Sequence, residues 1–64
     1  MIRVNGDNME IERINLLELV KRRNLNPERI AVELNGEIVK RGTYGEIDLT
    51  DGDKVEIVCF VGGG

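Results

Sequence analysis

Histidine is absent from this 64-residue chain, cysteine and proline occur once each, and the only aromatics are one tyrosine and one phenylalanine. Without histidine, the commonest metal ligand and acid–base group is gone. The lone Cys59 rules out an internal disulfide. Metal centres and nucleophile–base catalysis therefore have little to work with. Long apolar runs are missing too: none approaches the roughly 20 residues a membrane helix needs, and the start, Met1-Ile2-Arg3-Val4, has no signal-peptide core. The cytoplasm is the expected compartment. A net charge of −3 opposes non-specific binding to a phosphate backbone, so no nucleic-acid partner is expected. Two basic clusters, Lys21-Arg22-Arg23 and Lys40-Arg41, are suited to an acidic partner surface, but the first also falls where a helix should end and complements its dipole.

What is present is a single folded module. With 41% hydrophobic and 33% charged residues and no long polar tract, the chain is globular, and a domain of this size buries only about 60% of its unfolded surface. There is no room for an enclosed active site. Met1 to Asn5 alternates apolar and polar, Met9-Glu10-Ile11-Glu12 resumes the alternation, and Asn5-Gly6-Asp7-Asn8 between them reads as a turn. The period then changes to three and four residues over Ile14, Leu16, Leu17, Leu19 and Val20, which predicts an amphipathic helix capped by Asn15 and stopped near Asn24 and Pro27. A strand over 30–34, an Asn35-Gly36 hairpin turn and a strand over 37–40 follow. Residues 41–46 look irregular, 47–49 pair briefly, Thr50-Asp51-Gly52-Asp53 is a second strong turn, and a last strand covers 54–61. The order is β–β–α–β–β–β: an α+β fold in which one helix packs on a mixed sheet, with the last strand inserted beside the first.

Directly after that last strand the chain ends on Gly62-Gly63-Gly64. Glycine loses the most backbone freedom on ordering, so three in succession add nothing to a core. A terminal run of this kind is either a frayed end, a cloning scar or a slender arm of about 10 Å that presents a carboxylate free of neighbouring side chains.

The segments Val32-Glu33-Leu34-Asn35-Gly36-Glu37-Ile38-Val39, then Asp51-Gly52-Asp53, then Val55-Glu56-Ile57-Val58 leading to a glycine end, occur in that order in a short chain. In this the sequence resembles the ThiS family of thiamine-biosynthesis sulfur carriers over nearly its whole length. The family needs two terminal glycines, so Gly62 is an extra one, and residues 41–45 match nothing diagnostic. The resemblance implies a ubiquitin-like β-grasp fold with a sheet of four to five strands, a domain over residues 1–61 and a flexible glycine tail at 62–64. It implies a protein substrate with no catalytic residues and no bound cofactor of its own. A ThiF-like, ubiquitin-activating-like adenylyltransferase would use ATP and Mg²⁺ to adenylate the Gly64 carboxylate. Sulfur from a donor such as a cysteine desulfurase would then displace AMP, and the thiocarboxylate would supply sulfur to a ThiG-like thiazole synthase. Gly62 and Gly63 would give the enzyme access. Two alternatives stand beside this: the small subunit of molybdopterin synthase, which is usually longer, and a ubiquitin-like modifier or docking domain.

Other residues invite a role. Val58 and Phe60 alternate away from Ile57 and Cys59, and two exposed apolar residues beside a reactive tail suggest a partner-docking patch, unless the 41–46 segment covers them. Cys59 could carry a persulfide, but its parity with Val55 and Ile57 places it at the core or its edge as a small hydrophobe. Tyr44 is expected to pack within the irregular segment, and Asp51 with Asp53 reads as a turn rather than a cation loop.

Overall fold

The computed structural model describes residues 1–60. Val61 and the three glycines lie outside them, as does the expected tail. The elements in chain order are β1 (Ile2–Val4), β2 (Asp7–Met9), β3 (Arg13–Asn15), α1 (Leu16–Arg22), β4 (Ile30–Leu34), β5 (Glu37–Ile38), β6 (Asp48–Thr50) and β7 (Lys54–Cys59), with short 3-10 turns at Pro27–Arg29 and Tyr44–Glu46. Five strands form a mixed sheet in the order β2-β1-β7-β4-β5, and β3 pairs with β6 in a separate two-stranded ladder. Strand β7 runs parallel to β1 and antiparallel to β4, so the last strand does insert beside the first.

Alternation dictates the inner face of the sheet. Ile2 and Val4 of β1, Ile30 and Val32 of β4, and Val55 and Ile57 of β7 are all buried. Against them α1 lays Leu16, Leu19 and Val20, the three- and four-residue spacing of one helix face. At seven residues α1 is too short to persist alone, so this packing holds it. Its ends are well made. Asn15 accepts from the backbone N–H of Leu17 at 3.0 Å and of Glu18 at 3.3 Å. At the other end Asn24 takes a left-handed φ of 59°, the Leu25 N–H donates to the Val20 carbonyl and the Asn24 N–H to the Lys21 carbonyl. That pattern is a Schellman stop, with Lys21 and Arg22 in the last turn beside the dipole's negative end.

Several boundaries differ from the sequence reading: the strand expected over 37–40 covers only Glu37–Ile38, that expected over 47–49 covers Asp48–Thr50, and the strand expected over 9–12 ends at Met9. Ile14, expected at the helix start, is the buried centre of β3, opposite Leu49 of β6. An apolar residue two positions before Leu16 satisfies a strand period as well as a helical one. The second strand begins at Asp7 rather than Met9, because Asn5-Gly6 is a two-residue turn with φ of 52° and 86°, the primed geometry that pairs Val4 directly with Asp7. Strand β7 stops at Cys59.

Candidate functional site

Phe60 is the last described residue and immediately precedes 61–64 in the chain. How the end of β7 is held therefore defines the site. Strand β1 pairs with β7 only at Lys54 and Val55. Beyond that point the Asn5 side chain takes over: its Oδ1 accepts from the Ile57 N–H at 2.7 Å and its Nδ2 donates to the Ile57 carbonyl at 3.2 Å. On the other side β4 accompanies β7 as far as Ile30 opposite Cys59, and the Phe60 N–H donates to the Arg29 carbonyl at 2.9 Å.

The opposite end of β7 is anchored by the second Asn-Gly turn. Asn35, at a φ of 52°, donates its backbone N–H to the Lys54 carbonyl at 2.8 Å and accepts from the Lys54 N–H through Oδ1 at 3.0 Å. Its Nδ2 donates to Asp53 at 3.1 Å. Asp53 also accepts from the Thr50 N–H at 2.8 Å, and these bonds, the Thr50 one foremost, hold its carboxyl below its ordinary value of 3.8. Asp51 pairs with the Met1 amino group instead. The Asp-Gly-Asp segment is thus a turn, as expected, with its carboxylates engaged in holding strands together.

Across the outer face of the sheet chemistry changes in rows. Arg3 lies opposite Lys54, Glu33 opposite Glu56 with Ile38 on Glu33's other side, and Val58 opposite half-buried Ala31. The face therefore runs from a basic pair through an acidic pair to an apolar end. Val58 is 59% exposed, Phe60 52% and Ile38 71%. Segment 41–46 reaches Phe60 but does not cover it: the Arg41 guanidinium stands 5.8 Å from the ring centroid. Sequence reasoning took Val58 and Phe60 together as exposed apolar residues, and both are exposed, Val58 within β7 and Phe60 just past its end. It did not single out Arg41's contact with Phe60 or the side-chain ladder of Asn5, both of which join residues distant in sequence.

Cys59 is exposed, not at the core. Its parity is that of Ile57, but inward parity buries a side chain only where another layer covers it, and on β7 that cover ends at Ile57. Tyr44 is buried, within a 3-10 turn that packs on α1. No helix among the described residues is long and apolar enough to cross a membrane. Gly62, Gly63 and Gly64 lie outside the described residues.

The sequence model of the ThiS family matches residues 2–64, which include all three terminal glycines. A thiazole synthase of Magnetococcus marinus is 42% identical over 64 residues, covering 98% of this chain but only 20% of that protein, so the chain spans about a fifth of its length. The sulfur carrier protein ThiS of Bacillus subtilis is 35% identical over 66 residues, with both chains covered in full. Among solved structures, the crystal structure of the thiamine biosynthesis protein ThiS from Geobacter metallireducens superposes with a TM-score of 0.76 at 36% identity, covering 98% of this chain and 97% of that one. The α+β architecture is that of the ThiS β-grasp structures, and the chain belongs to the ThiS family.

Proposed function

We propose that this protein is the sulfur carrier of a thiazole-forming step in thiamine biosynthesis, acting through the Gly64 carboxylate. A single observation carries this reading: the family match runs to the last residue and includes the glycine run that no folding argument requires. A carboxylate is a poor electrophile. An activating partner of the ThiF kind, holding ATP and Mg²⁺, would join the carboxylate oxygen to the α-phosphorus with loss of pyrophosphate. The terminal sulfur of a persulfide on a donor such as a cysteine desulfurase would then attack the acyl carbon and expel AMP, and a second thiol would cleave the resulting acyl disulfide, ending in a disulfide with the donor's sulfur. The product is a thiocarboxylate, whose sulfur is a better nucleophile than the oxygen it replaces.

The domain itself supplies no catalytic group in this scheme; it is a handle. Val58 and Phe60, exposed at the end of β7, are the docking patch beside the reacting terminus. Thiazole synthase is the receiving partner, a reading supported by the Magnetococcus protein of that name, which contains this domain's counterpart within a longer chain. The relatives' thiamine names favour this pathway over molybdopterin synthesis.

The test is a one-residue extension. Adding an alanine after Gly64 should abolish ATP-dependent activation while leaving the unfolding midpoint unchanged; activation retained by the extended chain would refute the assignment of the reacting group.

A further inference from the structure

Arg41 touches Phe60, the residue that follows β7, and the carrier scheme gives it no part. It sits in a turn whose geometry is tightly prescribed: the Thr43 N–H donates to the Lys40 carbonyl at 3.2 Å, the Thr43 hydroxyl to the same carbonyl at 2.6 Å, and Gly42 takes a φ of 93°. A Cβ at Gly42 would meet nothing, so the glycine serves the backbone conformation rather than a close approach. From this turn the Arg41 side chain makes two contacts at once. One guanidinium nitrogen donates to the Ile30 carbonyl at 3.3 Å, at the start of β4, and the guanidinium stands over the Phe60 ring at 5.8 Å, within cation–π range.

Ile30 lies directly opposite Cys59, and the Phe60 backbone is bonded to Arg29. Arg41 therefore ties the beginning of β4 to the residue from which 61–64 continue. Phe60 lies past the last covered core position and is 52% exposed, so the core does not enclose its ring.

We propose that Arg41 is a positioning residue for the carrier reaction: by clamping Phe60 against the first residues of β4, it presets the direction of the chain at Phe60 for docking to the activating partner. This rests on the carrier reading above. A preset direction lowers the ordering cost of docking equally in the bound ground state and the transition state, so it acts on KM and leaves kcat alone.

Arg41→Gln removes the cation with similar length, Arg41→Lys keeps it, and Arg13→Gln, exposed on β3 and outside both basic clusters, is the control. In ATP-dependent loading assays Arg41→Gln should raise KM about threefold to fivefold with kcat unchanged, and Arg41→Lys should restore most of the loss. In parallel, amide relaxation by NMR, which needs no partner, should show the Phe60 order parameter falling in Arg41→Gln while Ile2 and Val32 keep theirs. Failure of the wild-type protein to load speaks against the carrier reading, whereas Phe60 loosening in Arg41→Gln still supports the clamp. Unchanged Phe60 relaxation, or an unchanged KM in variants whose parent loads, overturns it.

Discussion

The Asn5 side chain and the Ile57 backbone form a closed pair: Ile57 N–H to Asn5 Oδ1 at 2.7 Å, and Asn5 Nδ2 to the Ile57 carbonyl at 3.2 Å. Where β1 turns away, a turn residue's amide imitates the missing strand, satisfying both backbone groups that β7 presents there. At the other end of β7 Asn35 satisfies both backbone groups of Lys54 by a different pair, its Oδ1 accepting from the Lys54 N–H and its own backbone N–H donating to the Lys54 carbonyl. Two Asn-Gly turns thus secure the strand that leads to residues 61–64, each with its asparagine at a φ of 52°.

Asn5→Ala should therefore destabilise by about 1–3 kcal/mol, because it leaves two backbone groups without partners. Asn5→Gly separates the effects, since it keeps the left-handed backbone and loses only the side chain. Urea unfolding with hydrogen exchange should show the loss in both variants, with Ile57 among the amides most affected. Wild-type exchange at Ile57 in either variant would disprove the ladder.

Acid should weaken the turn before β7. Bonds from Thr50 and Asn35 to Asp53, and from Arg13 and Asn15 to Asp48, hold both carboxyls below their ordinary value of 3.8. A depressed carboxylate pKa contributes stability that is present above the unfolded value and lost as pH falls through the folded one. Both groups face solvent, so the effect is small. Unfolding midpoints between about pH 5 and pH 2 should fall more steeply for the wild type than for Asp53→Asn. Parallel curves would contradict this.

Val58→Glu places a charge on the proposed docking patch at an exposed position. Stability should change by no more than about 0.5 kcal/mol, while loading by the activating partner should drop at least about fivefold through KM. Steady-state kinetics and thermal melts together check it. An unchanged KM removes Val58 from the interface.

Leu19→Ala empties the centre of the helix–sheet contact, where the side chain is 1% exposed. The expected cost is about 2–5 kcal/mol, a large part of the stability of so small a domain. Calorimetry should find a strongly lowered melting point. A variant as stable as the parent would mean that α1 contributes little to the core.

The strand at Ile30–Leu34, the Asn15 cap and both Asn-Gly turns were legible in the sequence because each depends on near neighbours. Ile14 was not, because its pairing with Leu49 is decided by a ladder that forms only after the chain has folded back. Cys59 misled for a related reason: alternation gives the side of the sheet but not where the covering layer ends. Of the candidate site, Val58 and Phe60 were visible by parity, whereas Arg41's reach to Phe60 and Ile30 depends on a turn at Gly42 that local pattern does not announce.

The central claim is that sulfur is carried on the Gly64 carboxylate. Intact-mass spectrometry after incubation with ATP, Mg²⁺, an activating enzyme and a sulfur donor tests it most directly, with fragmentation to place the change. The account predicts one oxygen replaced by sulfur, localised to Gly64 and dependent on ATP. Sulfur found on Cys59 instead, or no mass change with an activating enzyme that loads the Bacillus subtilis relative, would contradict it.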